Sequence, residues 1–294
     1  MKIYNLGSMN IDYVYQVDHF LRPGETLSSA SMTVFPGGKG LNQSIALARA
    51  GAQVIHGAPI GSDGGFLVKT MTDSGVDTSR IQTLQSPSGH AIIQVDPSGQ
   101  NCILLFAGTN HLFTREYIDE VLRDAASGDI LLLQNEINAL DTIFSIAAEK
   151  GLQITLNPSP FHPKLLSLPL EQVKWWFCNE IEAEALFHSS LPDEIIHNFR
   201  RMYPDSNLIL TLGKHGSIFC NLDSEFHQPI YPAETVDTTA AGDTFTGYFL
   251  SRITQGDSII SALDIASKAA AITVSRTGAS VSIPLSAELE SLQK

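Results

Sequence analysis

Short apolar runs alternate along most of the chain with longer stretches in which apolar residues recur at helical spacing. The run at residues 130–133 (ILLL) is followed by a helical pattern at 139–150 and by a second apolar run at 152–156. Helices that connect parallel strands produce this rhythm, because such strands are buried on both faces. The pattern predicts an α/β fold on a mainly parallel sheet.

Further segments fit the same rhythm. Apolar runs predict strands at residues 2–6, 53–57, 175–178 and 208–212. Helical spacing predicts helices at residues 41–50 and 66–74, each followed by a glycine that can end a helix, Gly51 and Gly75.

Two regions break the rhythm. Residues 11–35 contain strand-like pieces, and residues 89–106 read as two strands joined by a turn at 96–100 (DPSGQ). We expect a small β layer inserted into the α/β body, which could cover a substrate and exclude water. A decorative edge hairpin is the alternative. Since no repeat, low-complexity tract or linker divides the chain, a single domain over residues 1–294 is predicted.

Composition excludes several classes of function. Hydrophobic residues make up 43% of the 294 residues, enough to bury a full core. The formal net charge of -13 argues against nucleic-acid binding, which needs a cationic surface. Three cysteines outside any metal-ligand spacing predict neither a disulfide framework nor a zinc site. No apolar run approaches ~20 residues and no signal-peptide core follows Met1, so we expect a cytoplasmic protein without membrane association.

A turn of small and polar residues at 236–243 (VDTTAAGD) leads into an apolar helical run. Backbone N–H groups at a helix N-terminus lack an intrahelical acceptor and stabilise negative charge, so a phosphoryl group could bind there. Asp243 in the first turn could accept a proton from a hydroxyl held above it. The alternative is that Asp243 only caps the helix.

A second glycine-rich stretch, at residues 36–43 (PGGKGLNQ), also leads into a predicted helix. Glycines let backbone N–H groups approach a ligand closely, and Lys39 and Asn42 supply donors for hydroxyls. A flexible turn before a helix is the alternative. The stretch matches neither a Walker A loop nor a dinucleotide-binding fingerprint.

Asn10 and Asp12 follow the first predicted strand in the segment 7–12 (GSMNID). Two residues apart in extended chain, they lie on one side, where a carboxylate beside an amide suits a vicinal diol. A polar turn at a strand end is the alternative.

Two other predicted strands end in polar residues, at the edge where parallel sheets bind ligands. Asn179 and Glu182 could organise waters around Mg²⁺, or they could simply begin a helix. Residues 211–216 (TLGKHG) could form a loop on the nucleotide side or a hairpin turn.

Taken together and in order, these segments resemble the PfkB carbohydrate kinase family, in particular its ribokinase branch, from Gly7 to about Pro284. The resemblance implies a twisted, mainly parallel sheet with helices on both faces and a β lid that often forms dimer contacts. It implies transfer of the ATP γ-phosphate to a sugar hydroxyl. Asp243 would be the base, and the N–H groups of Ala241 and Gly242 would stabilise charge on the phosphoryl oxygens.

The resemblance also implies binding residues. The sugar side comprises Asn10, Asp12, Gly38, Lys39, Asn42, Ala91, Ile93, Glu136 and Asp243. The nucleotide side comprises Asn179, Thr211, Gly213, Gly242 and Ser267, with Asn179 and Glu182 holding Mg²⁺ indirectly. A loop enclosing an activating K⁺ would comprise Asp237, Thr239, Thr273, Arg276, Gly278 and Ser282, largely through backbone carbonyls. Ser267 departs from the asparagine or similar residue that often borders the adenine.

D-Ribose is the sugar that the resemblance favours, and a homodimer through the β lid is expected. Deoxyribose, fructose, another pentose or hexose, or a nucleoside could use the same Asn10 and Asp12 platform. A silent sugar-binding regulator on this fold would have lost the base or the glycine beside it, yet Asp243 and Gly242 are both present. In the lid, strand alternation points His90 away from Ala91 and Ile93, which predicts a surface role for the histidine.

Overall fold

The computed structural model describes residues 1–291, and its centre is an eight-stranded sheet. The strands are β1 Ile3–Leu6, β4 Val54–Gly57, β9 Ile130–Gln134, β10 Gln153–Asn157, β11 Val173–Asn179, β12 Asn207–Thr211, β13 Ser217–Cys220 and β14 Glu225–Gln228. Their order is β14-β13-β12-β11-β10-β9-β1-β4, and every pair is parallel except β12 with β13 and β13 with β14.

Helices flank this sheet, and all except α7 and α8, which follow the last strand, connect its parallel strands. They are α1 Lys39–Arg49, α2 Gly65–Asp73, α3 Arg115–Val121, α4 Leu140–Lys150, α5 Glu180–Phe187, α6 Pro192–Met202, α7 Ala241–Thr254 and α8 Ile259–Val274. Every residue of β1 and β9 is buried. Because successive side chains of a strand point to opposite faces, both faces of the sheet are covered at its centre.

The predicted α/β body is confirmed, with element boundaries displaced by one or two residues. One interpretation is resolved in favour of the turn: residues 211–216 connect antiparallel strands β12 and β13. A short 3-10 helix, Gly213–His215, fills this hairpin, and Gly213 and Gly216 have φ angles of 51° and 89°. Glycine adopts these left-handed conformations without the steric cost of a Cβ atom.

A separate four-stranded sheet, called the small sheet below, lies in the two regions that broke the sequence rhythm. Its strands are β2 Asn10–Gln16, β3 Ser31–Gly37, β7 Gly89–Val95 and β8 Asn101–Phe106, in the order β3-β2-β7-β8. A parallel pair, β5 Pro59–Gly61 and β6 Gln82–Leu84, lies apart from both sheets.

The register of the small sheet divides its side chains between two faces. Asp12 pairs with Phe35 and Ala91, and Ala91 pairs with Leu105, so these four residues share one face, called the inner face. Their neighbours in sequence share the other, called the outer face. Its apolar members include Met32, Val34, Ile92, Leu104 and Phe106.

Helices α1 and α7 cross at very short distance. A Cβ atom built on Gly247 of α7 would lie 2.4 Å from the Cβ of Ala46 and 2.8 Å from the backbone nitrogen of Leu47. At the start of α1, a Cβ on Gly40 would lie 2.5 Å from the backbone of Gly7 and Ser8. Only glycine fits at these contacts: the first sets α7 against α1, and the second sets the start of α1 against the loop after β1.

Cys178 and Cys220 are buried, Cys102 is exposed, and all three are free thiols. Burial raises the pKa of the Cys220 thiol to about 12. Within residues 1–291, no helix combines the length and the apolar character needed to cross a membrane.

Candidate active site

A cavity of about 750 Å³ lies between the inner face of the small sheet and the carboxyl ends of the parallel strands. Most of the predicted site residues line it. They are Asn10, Asp12, Gly38, Lys39, Asn42, Ala91, Ile93, Glu136, Asn179, Glu182, Thr211, Asp237, Thr239, Gly242, Asp243 and Gly278. Residues predicted for sugar, nucleotide and cation therefore share one continuous space.

Asp243 lies in the first turn of α7 and is 8% exposed. Its Oδ2 atom accepts a hydrogen bond from the Asn42 amide at 3.0 Å, and its Oδ1 atom accepts one from the Gln43 amide at 2.9 Å. The N-cap of α7 is Ala240, with no side-chain hydrogen bond. Asp243 is therefore not a helix cap, and its carboxylate faces α1 and the cavity.

The turn before α7 has the geometry of an anion site. Ala240 adopts a left-handed conformation with φ 62°, which turns the chain sharply into the helix. Gly242 lines the cavity, and a Cβ atom built on it would meet nothing within 4 Å. The protein itself does not require a glycine there, so the open space can receive a ligand. The Ala241 N–H, in contrast, already points to the Thr238 carbonyl at 3.3 Å.

Lys39 lies among carboxylates. Its backbone N–H donates to Glu136 Oε2 at 3.0 Å, and the Ser8 hydroxyl donates to the same oxygen. Burial disfavours the Lys39 ammonium, but the charges of Asp243, Glu136 and Glu182 outweigh it, so the pKa of Lys39 is raised. Burial raises the pKa of Glu136 despite the opposing effect of Lys39.

Asn10 and Asp12 lie on the inner face of β2, on one side as strand alternation predicts. Asn10 Oδ1 accepts a hydrogen bond from the Asn110 amide at 2.7 Å, which leaves the Asn10 amide N–H groups for a ligand. A Cβ atom on Gly37 would lie 1.9 Å from Asp12 Oδ2, so this glycine makes room for the carboxylate. Burial, together with Glu136, raises the pKa of Asp12 to about 7.

Asn179 and Glu182 cap the start of α5 reciprocally. The Glu182 N–H donates to Asn179 Oδ1 at 2.9 Å, and the Asn179 N–H donates to Glu182 Oε2 at 3.0 Å. The helix-start interpretation is thus correct as geometry. Both residues also line the cavity, so carboxylate and amide oxygens are available to solvent molecules there. Thr211 lines the same region, whereas Gly213 lies in the hairpin turn outside it.

Asp237 joins two loops at the cavity. Its carboxylate accepts hydrogen bonds from the Thr239 N–H at 2.9 Å, the Thr239 hydroxyl at 2.6 Å and the Gly278 N–H at 2.9 Å. Burial opposes its ionisation, but these bonds outweigh burial and lower the pKa of Asp237. These hydrogen bonds give the Asp237 carboxylate a structural role whether or not a cation binds.

Other residues predicted for the cation loop have their side chains engaged elsewhere. The Thr273 hydroxyl bonds Thr244 Oγ1 at 3.1 Å, Arg276 pairs with Glu288 at 2.6 Å, and the Ser282 hydroxyl donates to the Ala279 carbonyl at 2.7 Å. Only their backbone carbonyls, or the remaining lone pairs of the hydroxyls, could reach an ion. Across residues 1–291 there is no group of three or more His, Cys, Asp or Glu side chains that could hold a metal.

Two further positions lie outside the cavity. The Ser267 hydroxyl donates to the Pro229 carbonyl at 3.1 Å, and Ser267 is not part of the cavity wall. His90 lies on the outer face of the small sheet, with its ring 5.0 Å from that of Phe106 and 6.0 Å from that of Tyr13. Its position agrees with the strand alternation.

Sequence reasoning missed several polar residues behind the cavity, among them Asn5, Gln43, Asn110 and Gln134. Asn5 and Gln134 interrupt otherwise apolar, fully buried strands. A polar residue inside such a run must find hydrogen-bond partners, and that requirement is the signal that could have found them.

The chain thus combines a mainly parallel sheet, a second small sheet and an acid at a helix N-terminus that faces a polar cavity. The model of the pfkB family carbohydrate kinases matches residues 2–285, and the chain belongs to this family.

Three known proteins show how far the similarity extends. Ribokinase of Staphylococcus aureus is 35% identical over 98% of this chain and 98% of its own. The crystal structure of ribokinase from Thermotoga maritima matches with a TM-score of 0.87 at 34% identity, covering 99% of this chain and 98% of that one. The structure of Arabidopsis thaliana ribokinase complexed with ribose and ATP matches with a TM-score of 0.86 at 26% identity, covering 99% of each chain.

The raised pKa of Asp12 predicts a pH-dependent gain of stability from Asp12→Asn. The side chain ionises near 3.8 in the unfolded chain and near 7 when folded, so the folded state loses stability as pH rises across that window. We expect Asp12→Asn to raise Tm by about 2–5 °C at pH 8.5, and by less at pH 5.5. Differential scanning calorimetry at both pH values measures this.

Asp223→Asn, at an exposed carboxylate, is the matched control and should leave Tm nearly unchanged at both pH values. A gain from Asp12→Asn that is equal at the two pH values, or a loss at pH 8.5, would contradict the prediction.

Proposed function

We propose that this protein is a ribokinase, which transfers the γ-phosphate of ATP to D-ribose and yields ribose 5-phosphate. The observation that carries the proposal is the position of the Asp243 carboxylate. It lies at the N-terminus of α7, in one cavity with the amide and carboxylate pair of Asn10 and Asp12. The full-length similarity to ribokinases, one of which is described as complexed with ribose and ATP, supports ribose as the sugar.

The sugar binds between α1 and the inner face of the small sheet. The Asn10 amide donates to a sugar hydroxyl, and the Asp12 carboxylate accepts from one. Asn42 uses its amide N–H on Asp243, while its Oδ1 is buried and without a partner in the described part of the chain, so it can accept from a hydroxyl. Gly38 allows close approach of the backbone, and Lys39 and Glu136 supply further contacts. Ala91 and Ile93 cover the apolar face of the ring.

Asp243 acts as the general base. It takes the proton of the attacking hydroxyl, the hydroxyl oxygen forms a bond to the γ-phosphorus, and the bond between that phosphorus and the bridging oxygen breaks to release ADP. The first-turn N–H of Gly242, with that of Ala241, stabilises the charge on the phosphoryl oxygens. The Ala241 N–H must first leave the Thr238 carbonyl, to which it makes only a long bond.

ATP binds along Thr211, Asn179 and Gly242, at the end of the cavity away from the small sheet. Gly213 and Ser267 flank the adenine side, which extends beyond the enclosed space. The oxygens of Asn179 and Glu182 suit Mg²⁺ held through water, because the capping bonds use only part of their lone pairs. When bound, the ion neutralises charge on the phosphates.

Some of the residues present can hold K⁺ at this loop. Asp237 and Thr239 contribute oxygens beside the anion site, and the carbonyls of Thr273, Arg276 and Gly278, with Ser282, complete the oxygen set. A cation held there adds positive charge next to the turn before α7. The small sheet acts as the lid of this single kinase domain, since its inner face forms one wall of the cavity.

An assay of ADP release tests the substrate. With ATP and Mg²⁺ we expect turnover of ribose to exceed that of deoxyribose, fructose, other pentoses and nucleosides by at least about tenfold in kcat/KM. Strong nucleoside turnover without ribose turnover would overturn the assignment.

Replacing K⁺ by Na⁺ should lower the rate with ribose. Equal rates with the two cations would show that the loop at residues 276–282 does not hold an activating K⁺.

Asp243→Asn tests the base. The amide cannot accept the proton, so kcat should fall by at least about 1000-fold while KM for ribose and ATP stays within a few-fold, because a base acts mainly in the transition state. Asp237→Asn, in the same turn, serves as the comparison and should retain far more activity. Near-normal turnover in Asp243→Asn would show that Asp243 is not the base.

The outer face of the small sheet supports a homodimer. Met32, Val34, Ile92, Leu104 and Phe106 are each between 37% and 67% exposed there, and contiguous exposed apolar surface of this kind marks an interface. A second copy of the same face is a self-complementary partner.

Light scattering should give twice the chain mass of 31.9 kDa for the natural protein and a monomer for Leu104→Asp. Leu285→Asp changes an equally apolar exposed residue outside the small sheet and should leave the dimer intact. A monomeric natural protein would contradict this proposal and leave the kinase assignment untouched.

A further inference from the structure

A chain of buried amide side chains extends from Asp243 into the core. Gln43 Nε2 donates to Asp243 Oδ1 at 2.9 Å, and Gln134 Nε2 donates to Gln43 Oε1 at 2.6 Å and to Asn5 Oδ1 at 3.0 Å. Asn5 Nδ2 donates in turn to the Gly40 carbonyl at 2.9 Å. Gln43, Gln134 and Asn5 are each at most 1% exposed. The network joins α7, α1, β9 and β1.

The direction of every bond in this chain follows from its two ends. The Asp243 carboxylate can only accept, so Gln43 must present its NH₂ group and keep its oxygen for Gln134. At the other end the Gly40 carbonyl can only accept, so Asn5 must present its NH₂ group and keep its oxygen for Gln134 as well. Both ends require the same orientation of Gln134, and no amide can flip without breaking bonds.

The chain ends at a neutral histidine. Asn5 Nδ2 also donates to the Ser44 hydroxyl at 2.8 Å, and that hydroxyl lies 2.9 Å from His56 Nδ1. Burial lowers the pKa of His56 to about 3, so the ring is uncharged in the working range of pH. The Ser44 hydroxyl and Nδ1 share one hydrogen bond, whose donor is set by the ring tautomer. No charged group stands behind Asp243 along this path, so on this side its partners are neutral dipoles.

We propose that Gln43 is a positioning residue for Asp243, held in turn by Gln134; this rests on the proposed role of Asp243 as the base. Gln43 is not part of the cavity wall, so it does not touch either substrate. Its amide fixes one carboxylate oxygen while Asn42 fixes the other. Lys39 attracts the Asp243 charge. Without Gln43 the carboxylate is free to turn toward that ammonium and away from the sugar hydroxyl.

Gln43→Met tests the proposal, because methionine keeps the length and volume of glutamine but cannot donate. We expect kcat with ribose to fall by about 10- to 100-fold, since small displacements of a reacting group cost rates of this order. KM for ribose and for ATP should stay within about threefold, because no substrate contact is lost. Gln134→Met should give a smaller fall, and the double variant should be no slower than Gln43→Met alone if Gln134 acts through Gln43.

Asn207→Leu is the matched control. Asn207 is a buried amide of β12 whose hydrogen bonds to Lys174 and Asn221 lie away from the cavity wall, so its loss should lower Tm but leave kcat unchanged. If Gln43→Met does not fold, Gln43→Glu, which has nearly the same shape but places a second carboxylate against Asp243, replaces it and should lower kcat at least as much.

A folded Gln43 variant with kcat within about twofold of the natural protein would overturn the positioning role. So would a fall expressed only in KM, or a double variant whose losses multiply. An inactive natural protein with ribose would instead refute the proposed function, so the two failures are distinguishable.

Discussion

The close crossing of α1 and α7 is the constraint on which the rest of this site depends. Gly247 removes the side chain that would separate α7 from α1, and Gly40 lets the start of α1 lie against the backbone of Gly7 and Ser8. Asn42 and Gln43 can then reach both oxygens of Asp243. The loop before α1 and the turn before α7 come from distant parts of the chain, and this contact makes them two walls of one cavity.

The carboxylates around the cavity lower the stability of the folded protein through burial and mutual repulsion. Glu136, Glu182 and Asp243 surround one largely buried ammonium, that of Lys39, and Asp12 lies near Glu136. Burial and repulsion from Glu136 raise the pKa of Asp12 to about 7. The folded protein is therefore less stable with Asp12 ionised than with a neutral side chain at this position. Sites that bind and transform ligands commonly retain such unfavourable charges. In a chain of net charge -13, an anionic ligand must be held by local N–H groups and not by the general field.

Two sets of buried amide hydrogen bonds fix the orientation of side chains in this site. Asn110 accepts from the Met9 N–H at 3.0 Å through its oxygen, and so it must present its NH₂ group to Asn10. The amide chain behind Asp243 works in the same way. In the first case the Met9 N–H, which can only donate, leaves the Asn10 NH₂ group for a ligand; in the second the Asp243 carboxylate and the Gly40 carbonyl, which can only accept, fix the orientation of the amides between them.

The sequence by itself determined the α/β rhythm and the place of the two β insertions, because the period of burial along a strand or helix is written in neighbouring residues. Most residues of the cavity wall were predicted from the resemblance of the motifs to the family. Tertiary structure alone decided which donors reach Asp243, since Asn42 and Gln43 lie 201 and 200 positions from it along the chain. The tertiary structure also decided that Gly213 and Ser267 lie outside the cavity wall and that Asp237 joins two loops by hydrogen bonds. Hydrogen bonds between distant side chains depend on strand order and helix crossing, which no local pattern encodes.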